Sequence, residues 1–129
     1  PYPGEGLPPG MVLVDTSVWI EHLRRGDPEL RELLNQGEVV CHPFVIGELA
    51  CGHLRSREQI LSLLKALPSA TLVEPDEILF FIEERKLAGL GLGLIDAHLL
   101  ASCLISRVRL RTLDKRLKSV AARLDIAHG

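Results

Sequence analysis

Short apolar runs and longer amphipathic segments alternate along this chain. The apolar runs, of the kind found in strands buried on both faces of a parallel sheet, lie at residues 11–14, 39–42, 71–73 and 108–112. The segments with a helical spacing of apolar positions lie at residues 16–25, 28–36, 44–54, 57–67, 76–88, 94–105 and 115–124. Residues 126–128 form a further candidate strand at the edge of the sheet.

Several of these predicted helices carry recognisable end signals. Asp15 offers an N-cap side chain for the first helix, Pro28 suits the first position of the second, and Gly37 ends it. Ser56 and Gln59 have the spacing of a capping box for the fourth helix. These signals support the helical interpretation of the pattern.

The order of the elements predicts the fold class. Strands that alternate with helices require right-handed crossovers, which place the strands in one parallel sheet covered on both faces. We therefore predict an α/β fold, a three-layer α/β/α sandwich with a central parallel sheet of four or five strands. The length of 129 residues suits one domain, which we assign to residues 11–129. Residues 1–10 precede the only methionine and are expected to be an upstream tail or an expression remnant.

Composition narrows the class of protein. Hydrophobic residues make up 47% of the chain and charged residues 25%, as in a globular protein. No apolar run reaches the roughly 18 residues that span a bilayer, and the first residues lack a signal-peptide pattern. We therefore expect a cytoplasmic protein with no membrane partner. Cys41, Cys51 and Cys103 lie in apolar stretches without a C-x-x-C pair, which predicts buried reduced thiols.

Three carboxylates stand alone in these apolar segments. No other Asp, Glu, Lys or Arg lies within five positions of Asp15, Glu48 or Asp96. Because burying a bare carboxylate costs several kcal/mol, each must be paired, protonated or bound to a cation. A shared divalent ion resolves this for all three, and hard oxygen ligands suit Mg²⁺ or Mn²⁺.

A fourth acid, Asp114, joins this group by its position. Asp15 and Asp114 both lie where a predicted strand ends and a helix begins, and ligands of parallel sheets bind at that edge. A simple helix N-cap is an equal alternative for Asp114, since Lys115 and Arg116 follow it. Carboxylates that hold one or two Mg²⁺ can align water against a phosphodiester and stabilise the leaving oxygen. The predicted catalytic and metal-binding set is Asp15, Glu48, Asp96 and Asp114.

Four segments together resemble the PIN-domain ribonucleases, specifically the VapC-like toxins of bacterial and archaeal toxin–antitoxin pairs. They are MVLVDTSVWIEHL (11–23), ELACG (48–52), LIDAHLLAS (94–102) and RTLDKRL (111–117). Each segment is short, but their order and the length of the chain make the resemblance specific. It extends from residue 11 to about residue 124.

The resemblance implies a metal-dependent endoribonuclease with Mg²⁺ or Mn²⁺ as its cofactor. The four acidic positions of the family correspond to the four acids above, and its neighbouring polar positions correspond to Thr16 and Thr112, which would orient them. The family also implies a homodimer, an RNA substrate and a cognate antitoxin whose C-terminal segment covers the acidic groove. His98, two residues beyond Asp96 on another helical face, is expected to be structural.

The net charge of −2 does not by itself indicate a nucleic-acid-binding protein. Two bound divalent ions would change the net charge to +2, so the charge of the metal has to be counted when RNA binding is considered. The basic residues are also clustered along the sequence. Arg55, Arg57, Lys115 and Arg116 are expected to flank the groove and bind RNA phosphates.

Three other interpretations remain open at this point. A response-regulator receiver also places acids at strand ends, but it needs an acidic pair near the first strand, where Asp15 stands alone. A non-catalytic PIN-like module would bind RNA or protein without a metal. A homodimeric scaffold would pair the isolated acids with Arg55 or Arg109 across space.

Overall fold

A three-stranded parallel sheet lies at the centre of the computed structural model, which describes residues 7–129 of the chain. Its strands are β1 (Val12–Val14), β2 (Val39–Val40) and β3 (Arg109–Arg111), and their order in the sheet is β2-β1-β3. All three residues of β1 are at most 2% exposed, although successive side chains point to opposite faces. Both faces of the sheet are therefore covered, as the predicted three-layer arrangement requires.

The predicted number of four or five strands is wrong for the described residues, because both outer segments form only single-residue bridges. Cys41 bridges Ser69, and Leu110 bridges Ala127. At the edge of the sheet next to β2, the backbone N–H of Thr71 donates to Ser106 Oγ (3.0 Å), and the Thr71 carbonyl accepts from Ser102 Oγ (2.6 Å). These two serines therefore occupy the groups that a longer ladder would use.

The seven predicted helices are all present within residues 7–129, in the predicted order. They are α1 (Thr16–Arg25), α2 (Pro28–Asn35), α3 (Pro43–Cys51), α4 (Arg57–Ala66), α5 (Pro75–Glu84), α6 (Leu94–Ser106) and α7 (Lys115–Arg123). Every residue of 97–103 in α6 is buried, which confirms that this nearly all-apolar helix packs in the core. None of the helices formed by the described residues has both the length and the apolar character needed to cross a membrane.

The capping box predicted for α4 is wrong. Ser56 has a left-handed backbone (φ 51°), and its side chain makes no capping hydrogen bond, because an N-cap side chain reaches the helix from an extended backbone. α5 ends four residues earlier than predicted, and Lys86 also has a left-handed backbone (φ 56°). At Ser56 a turn conformation replaced the predicted cap, and at α5 a turn ended the helix before the predicted position.

Two further expectations concern the termini and the thiols. The predicted tail, residues 1–10, lies mostly outside the described residues, but Leu7 packs against the core. Cys41 and Cys103 are buried free thiols as predicted, whereas Cys51 in the last turn of α3 is exposed. The prediction that all three thiols are buried is therefore wrong for Cys51.

Candidate active site

Asp15 lies at the carboxyl end of β1 and is the N-cap of α1. Its carboxylate accepts hydrogen bonds from Thr16 N (2.7 Å), Ser17 Oγ (2.9 Å) and Thr112 Oγ1 (2.6 Å). With 7% exposure it is a buried anion that three donors hold in one orientation. The strand end and the helix start thus fix this carboxylate at the edge of the sheet.

Two hydroxyl groups connect Asp15 to the end of β3. Thr112 Oγ1 donates to Asp15 and accepts from Asp114 N (3.0 Å), so one side chain links both acids. Ser17 Oγ donates to Asp15 and accepts from Leu113 N (3.0 Å). Ser17 was not among the predicted site residues, although its place two residues after a strand-end Asp was a usable signal.

Glu48 lies on α3 and meets the start of α1. Thr16 Oγ1 donates a 2.6 Å hydrogen bond to Glu48 Oε1. α3 begins at Pro43 behind the N-cap residue His42, whose ring nitrogen accepts from Phe44 N (3.0 Å). The Thr16 hydroxyl therefore orients Glu48, whereas the Thr112 hydroxyl orients Asp15.

Asp96 lies in the first turn of α6, where Gly93 N donates to its Oδ2 (3.1 Å). Burial raises the pKa of Asp96, the Gly93 hydrogen bond opposes this, and the charges of Asp15, Asp114 and Glu48 raise it further. Asp15, Asp114 and Glu48 are therefore all within electrostatic reach of Asp96.

Asp114 is the N-cap of α7, and its Oδ1 accepts from Arg116 N (2.9 Å) and Leu117 N (3.2 Å). The helix-cap interpretation is thus confirmed for Oδ1. The same carboxylate also acts electrostatically on Asp96. Asp114 is both a helix cap and a member of the acidic cluster.

No described Lys, Arg or His side chain forms an ion pair with any of the four acids; the five ion pairs between residues 7 and 129 all involve other carboxylates. Arg109, one candidate partner of the scaffold interpretation, donates instead to Ala127 O (3.0 Å). The pairing that this interpretation required is therefore wrong for the described residues.

The donor set fits a hard divalent cation. As they stand, no three Asp, Glu, His or Cys side chains of residues 7–129 come close enough together to ligate one ion. Separate hydrogen bonds anchor the four carboxylates on their own elements. Carboxylate oxygens that lack a cationic partner are nevertheless the ligands that Mg²⁺ and Mn²⁺ prefer.

Two of the basic residues predicted to bind RNA lie next to segments that carry an acid. Arg55 and Glu48 both line an open groove of about 880 Å³ between α1, α3 and α4. Arg116 packs against Gly91 in the loop before α6, so closely that a Cβ at Gly91 would lie 2.7 Å from Arg116 Nη1. Lys115 is exposed beside Asp114.

Arg57 is partly engaged elsewhere. Its guanidinium donates to Ala50 O (2.5 Å) and to Gly52 O (3.4 Å), at the carboxyl end of α3. His98, expected to be structural, is 6% exposed and packs edge-to-face on Phe44, with ring centroids 4.8 Å apart. Burial lowers the pKa of His98, so its ring favours the neutral form.

Comparisons with known proteins agree with this geometry. The PIN domain family model matches residues 12–123. Ribonuclease VapC32 of two Mycobacterium tuberculosis strains is 50% identical over 118 residues, which cover 91% of this chain and 95% of the relative. The crystal structure of PAE2754 from Pyrobaculum aerophilum has the same fold, with a TM-score of 0.63 at 18% identity over 93% of this chain and 98% of that one. This chain therefore belongs to the PIN domain family.

Proposed function

We propose that this protein is an endoribonuclease that cleaves RNA phosphodiester bonds with the help of Mg²⁺ or Mn²⁺, and that it is the toxin of a toxin–antitoxin pair. The observation that carries the proposal is the cluster of four carboxylates without a cationic partner among the described residues. The relatives named Ribonuclease VapC32 support it, since half of the aligned residues are identical.

Each acid has a proposed role that follows from its hydrogen bonds. Asp15 and Asp96 would hold the ion, because donors on α1, β3 and the Gly93 backbone already orient them. Thr16 holds Glu48 Oε1, and Oε2 would orient the attacking water and accept its proton. Asp114 uses Oδ1 for the helix cap, and Oδ2 would face a second ion. The bound ion would lower the pKa of water and stabilise the leaving oxygen.

Removal of the metal tests this proposal directly. Mn²⁺ is expected to raise the melting temperature in a concentration-dependent way, because it binds the folded state only, and excess EDTA should abolish cleavage of a structured RNA. Asp96→Asn should remove the thermal shift, whereas Glu83→Gln, a change of an exposed acid on α5, should leave it intact. Cleavage that continues undiminished in EDTA would contradict the proposal.

Arg55, in the groove with Glu48, and Arg116, against Gly91 in the loop before α6, are proposed to contact RNA phosphates, together with Lys115. We expect each Arg→Gln change to weaken RNA binding and to reduce the slope of log affinity against log salt by about 0.7, the value for one phosphate contact on a single strand. Filter binding in Ca²⁺ at several salt concentrations measures this slope. Lys65→Gln is the control, and equal slopes for all variants would exclude the assignment.

Arg57 is expected to contribute less to RNA binding than the other three basic residues. Two of its hydrogen bonds already hold the carboxyl end of α3, and the guanidinium would have to leave them to reach a phosphate. We therefore keep it in the proposed RNA-binding set as a secondary contact.

The proposed partners are a cognate antitoxin and a second copy of the chain, acting in the cytoplasm where the proposed RNA substrate is found. The groove that contains Glu48 is a suitable antitoxin surface, because the partly exposed Ile20, Leu23 and Leu63 line it. For the homodimer, Leu79 and Phe80 of α5 are 64% and 66% exposed and offer an apolar contact. Light scattering of the purified protein measures the oligomeric state.

A further inference from the structure

Two of the four acids, Glu48 and Asp96, lie on different helices, and a buried contact between those helices lies behind them. We infer that the hydrogen bond between His42 and Ser102 sets the spacing of α3 and α6, and thereby the affinity of the site for its divalent ion. This inference rests on the proposed function. His42 and Ser102 are then positioning residues, since neither touches the metal or the RNA.

The donor and the acceptor of each hydrogen bond in this contact can be assigned. His42 Nδ1 accepts from Phe44 N (3.0 Å), so in the neutral ring the proton is on Nε2, which donates to Ser102 Oγ (3.1 Å). Ser102 Oγ in turn donates to Thr71 O (2.6 Å). Every donor has an acceptor, which fixes both the tautomer of the ring and the rotamer of the serine.

The contact is completely enclosed. His42 and Ser102 are each 0% exposed, so water does not compete for either hydrogen bond. A second contact supports it, because the Phe44 ring lies 5.2 Å from the His42 ring and 4.8 Å from the His98 ring on α6. A polar contact at Ser102 and an aromatic contact at His98, one turn earlier on α6, therefore join the two helices.

Each end of the hydrogen bond is close in sequence to an acid. Glu48 follows His42 by six residues on α3, and Ser102 follows Asp96 by six residues on α6. A separation of six helical residues spans about 9 Å. Because a helix is stiff over this length, a shift at the His42–Ser102 contact moves the acids relative to each other.

A hydrogen bond defines this spacing more narrowly than an apolar contact would. Apolar side chains lose little energy when two helices slide by a few tenths of an ångström, whereas a hydrogen bond weakens when its length and angle change. A buried polar pair is costly if its partners separate, so the contact favours one arrangement. The contact would thereby limit how far Glu48 and Asp96 must move to reach a shared ion.

Ser102→Ala tests the inference, and the chain offers a closely matched control. Ser106 is also a serine of α6, is 2% exposed and also bonds Thr71, but it makes no described hydrogen bond to α3. Free Mn²⁺ is measured by its electron paramagnetic resonance signal during titration of the full chain. We expect Ser102→Ala to weaken Mn²⁺ binding about tenfold, at the low end of the range for residues that act through a ligand.

Ser106→Ala should bind Mn²⁺ within a factor of about two of the wild type. It should lose less thermal stability than Ser102→Ala, since it removes one buried hydrogen bond and Ser102→Ala removes two. RNA cleavage by Ser102→Ala should recover when the Mn²⁺ concentration is raised, because only the metal affinity is reduced. A purely structural role would lower the melting temperature of both variants and leave Mn²⁺ affinity unchanged in both.

His42→Asn tests the other end of the contact if Ser102→Ala does not fold. Asparagine retains an N-cap acceptor for Phe44 N but is too short to reach Ser102, so the same loss of Mn²⁺ affinity is expected. If Asp96→Asn weakens Mn²⁺ binding while both positioning variants bind like Ser106→Ala, the inference is wrong and the proposed function stands. If Asp96→Asn binds Mn²⁺ like the wild type, both are wrong.

Discussion

Asp96→Asn is expected to abolish RNA cleavage and, in the absence of metal, to raise the free energy of unfolding. The pKa of Asp96 is raised by burial and by three neighbouring acids, so at pH 7 the folded state carries an anion that it disfavours. Asparagine stays neutral and can still accept from Gly93 N. The gain should be below about 1 kcal/mol, since solvent screens this partly exposed group.

Asp15→Asn is expected to abolish cleavage as well, but to lower the stability of the folded protein. Both oxygens of Asp15 accept hydrogen bonds, and an amide NH₂ would have to face either Thr16 N or the hydroxyls of Ser17 and Thr112. One donor would then be opposed to another at a buried position, which costs about 1–2 kcal/mol. The two variants thus affect stability in opposite directions while both lose activity.

Urea unfolding in EDTA and cleavage assays in Mn²⁺ measure the two effects on the same preparations. Cleavage should decrease by at least about 10²-fold, because a lost metal ligand removes several kcal/mol of transition-state stabilisation. Glu83→Gln should leave both quantities unchanged. RNA cleavage that survives both substitutions would favour a site elsewhere, and a destabilised Asp96→Asn would contradict the electrostatic argument.

The acids of the site could be predicted because isolated carboxylates in apolar segments are visible in the sequence. The burial expected for them holds only for Asp15, since Asp96 is half-buried and Glu48 is exposed. Asp15, Glu48 and Asp96 stand alone among apolar residues. In the structure Asp15 and Glu48 lie within electrostatic reach of Asp96, and none of the three forms an ion pair among the described residues. Their metal-binding roles remain predictions. Asp114 was harder to predict as a site residue, because a role as a helix N-cap explains its position equally well. The structure confirms that it is an N-cap.

Other features depend on contacts between distant segments and leave no local pattern. Residues 71–73 have the apolar character of a strand, but serines of α6 take the backbone groups of Thr71. The capping box at Ser56 matched a motif, yet the turn before α4 requires a left-handed backbone there. Local propensity predicted the elements well, whereas tertiary hydrogen bonds decided where a strand did not form.

The burial of His42 could not be predicted from the sequence either. Only the fold shows that this histidine, which follows a strand, is 0% exposed. Burial, together with a smaller effect of the nearby His98, lowers the pKa of His42 from 6.5 to about 4. His42 therefore becomes protonated near pH 6.5 in the unfolded chain, but only near pH 4 in the folded protein. Stability is highest above pH 6.5 and decreases as the pH falls through this interval.

The expected loss between pH 6.5 and pH 4 is about 3 kcal/mol, because each pKa unit corresponds to about 1.36 kcal/mol. Urea unfolding of the metal-free protein between pH 7.5 and pH 4 measures it. The carboxylate of Asp27, whose pKa is lowered through its hydrogen bonds and ion pair with Arg111, adds its own loss mainly below pH 4. The two contributions are therefore separated along the pH axis.

His42→Asn should be less stable than the wild type at pH 7 but should lose much less stability on acidification. Asparagine does not titrate, so the remaining decrease above pH 4 would come from His98, whose pKa is also lowered by burial. A wild-type profile that is flat from pH 6.5 to pH 4.5 would show that the folded protein binds the proton readily. In that case His42 would not be held neutral by its hydrogen bonds to Phe44 and Ser102.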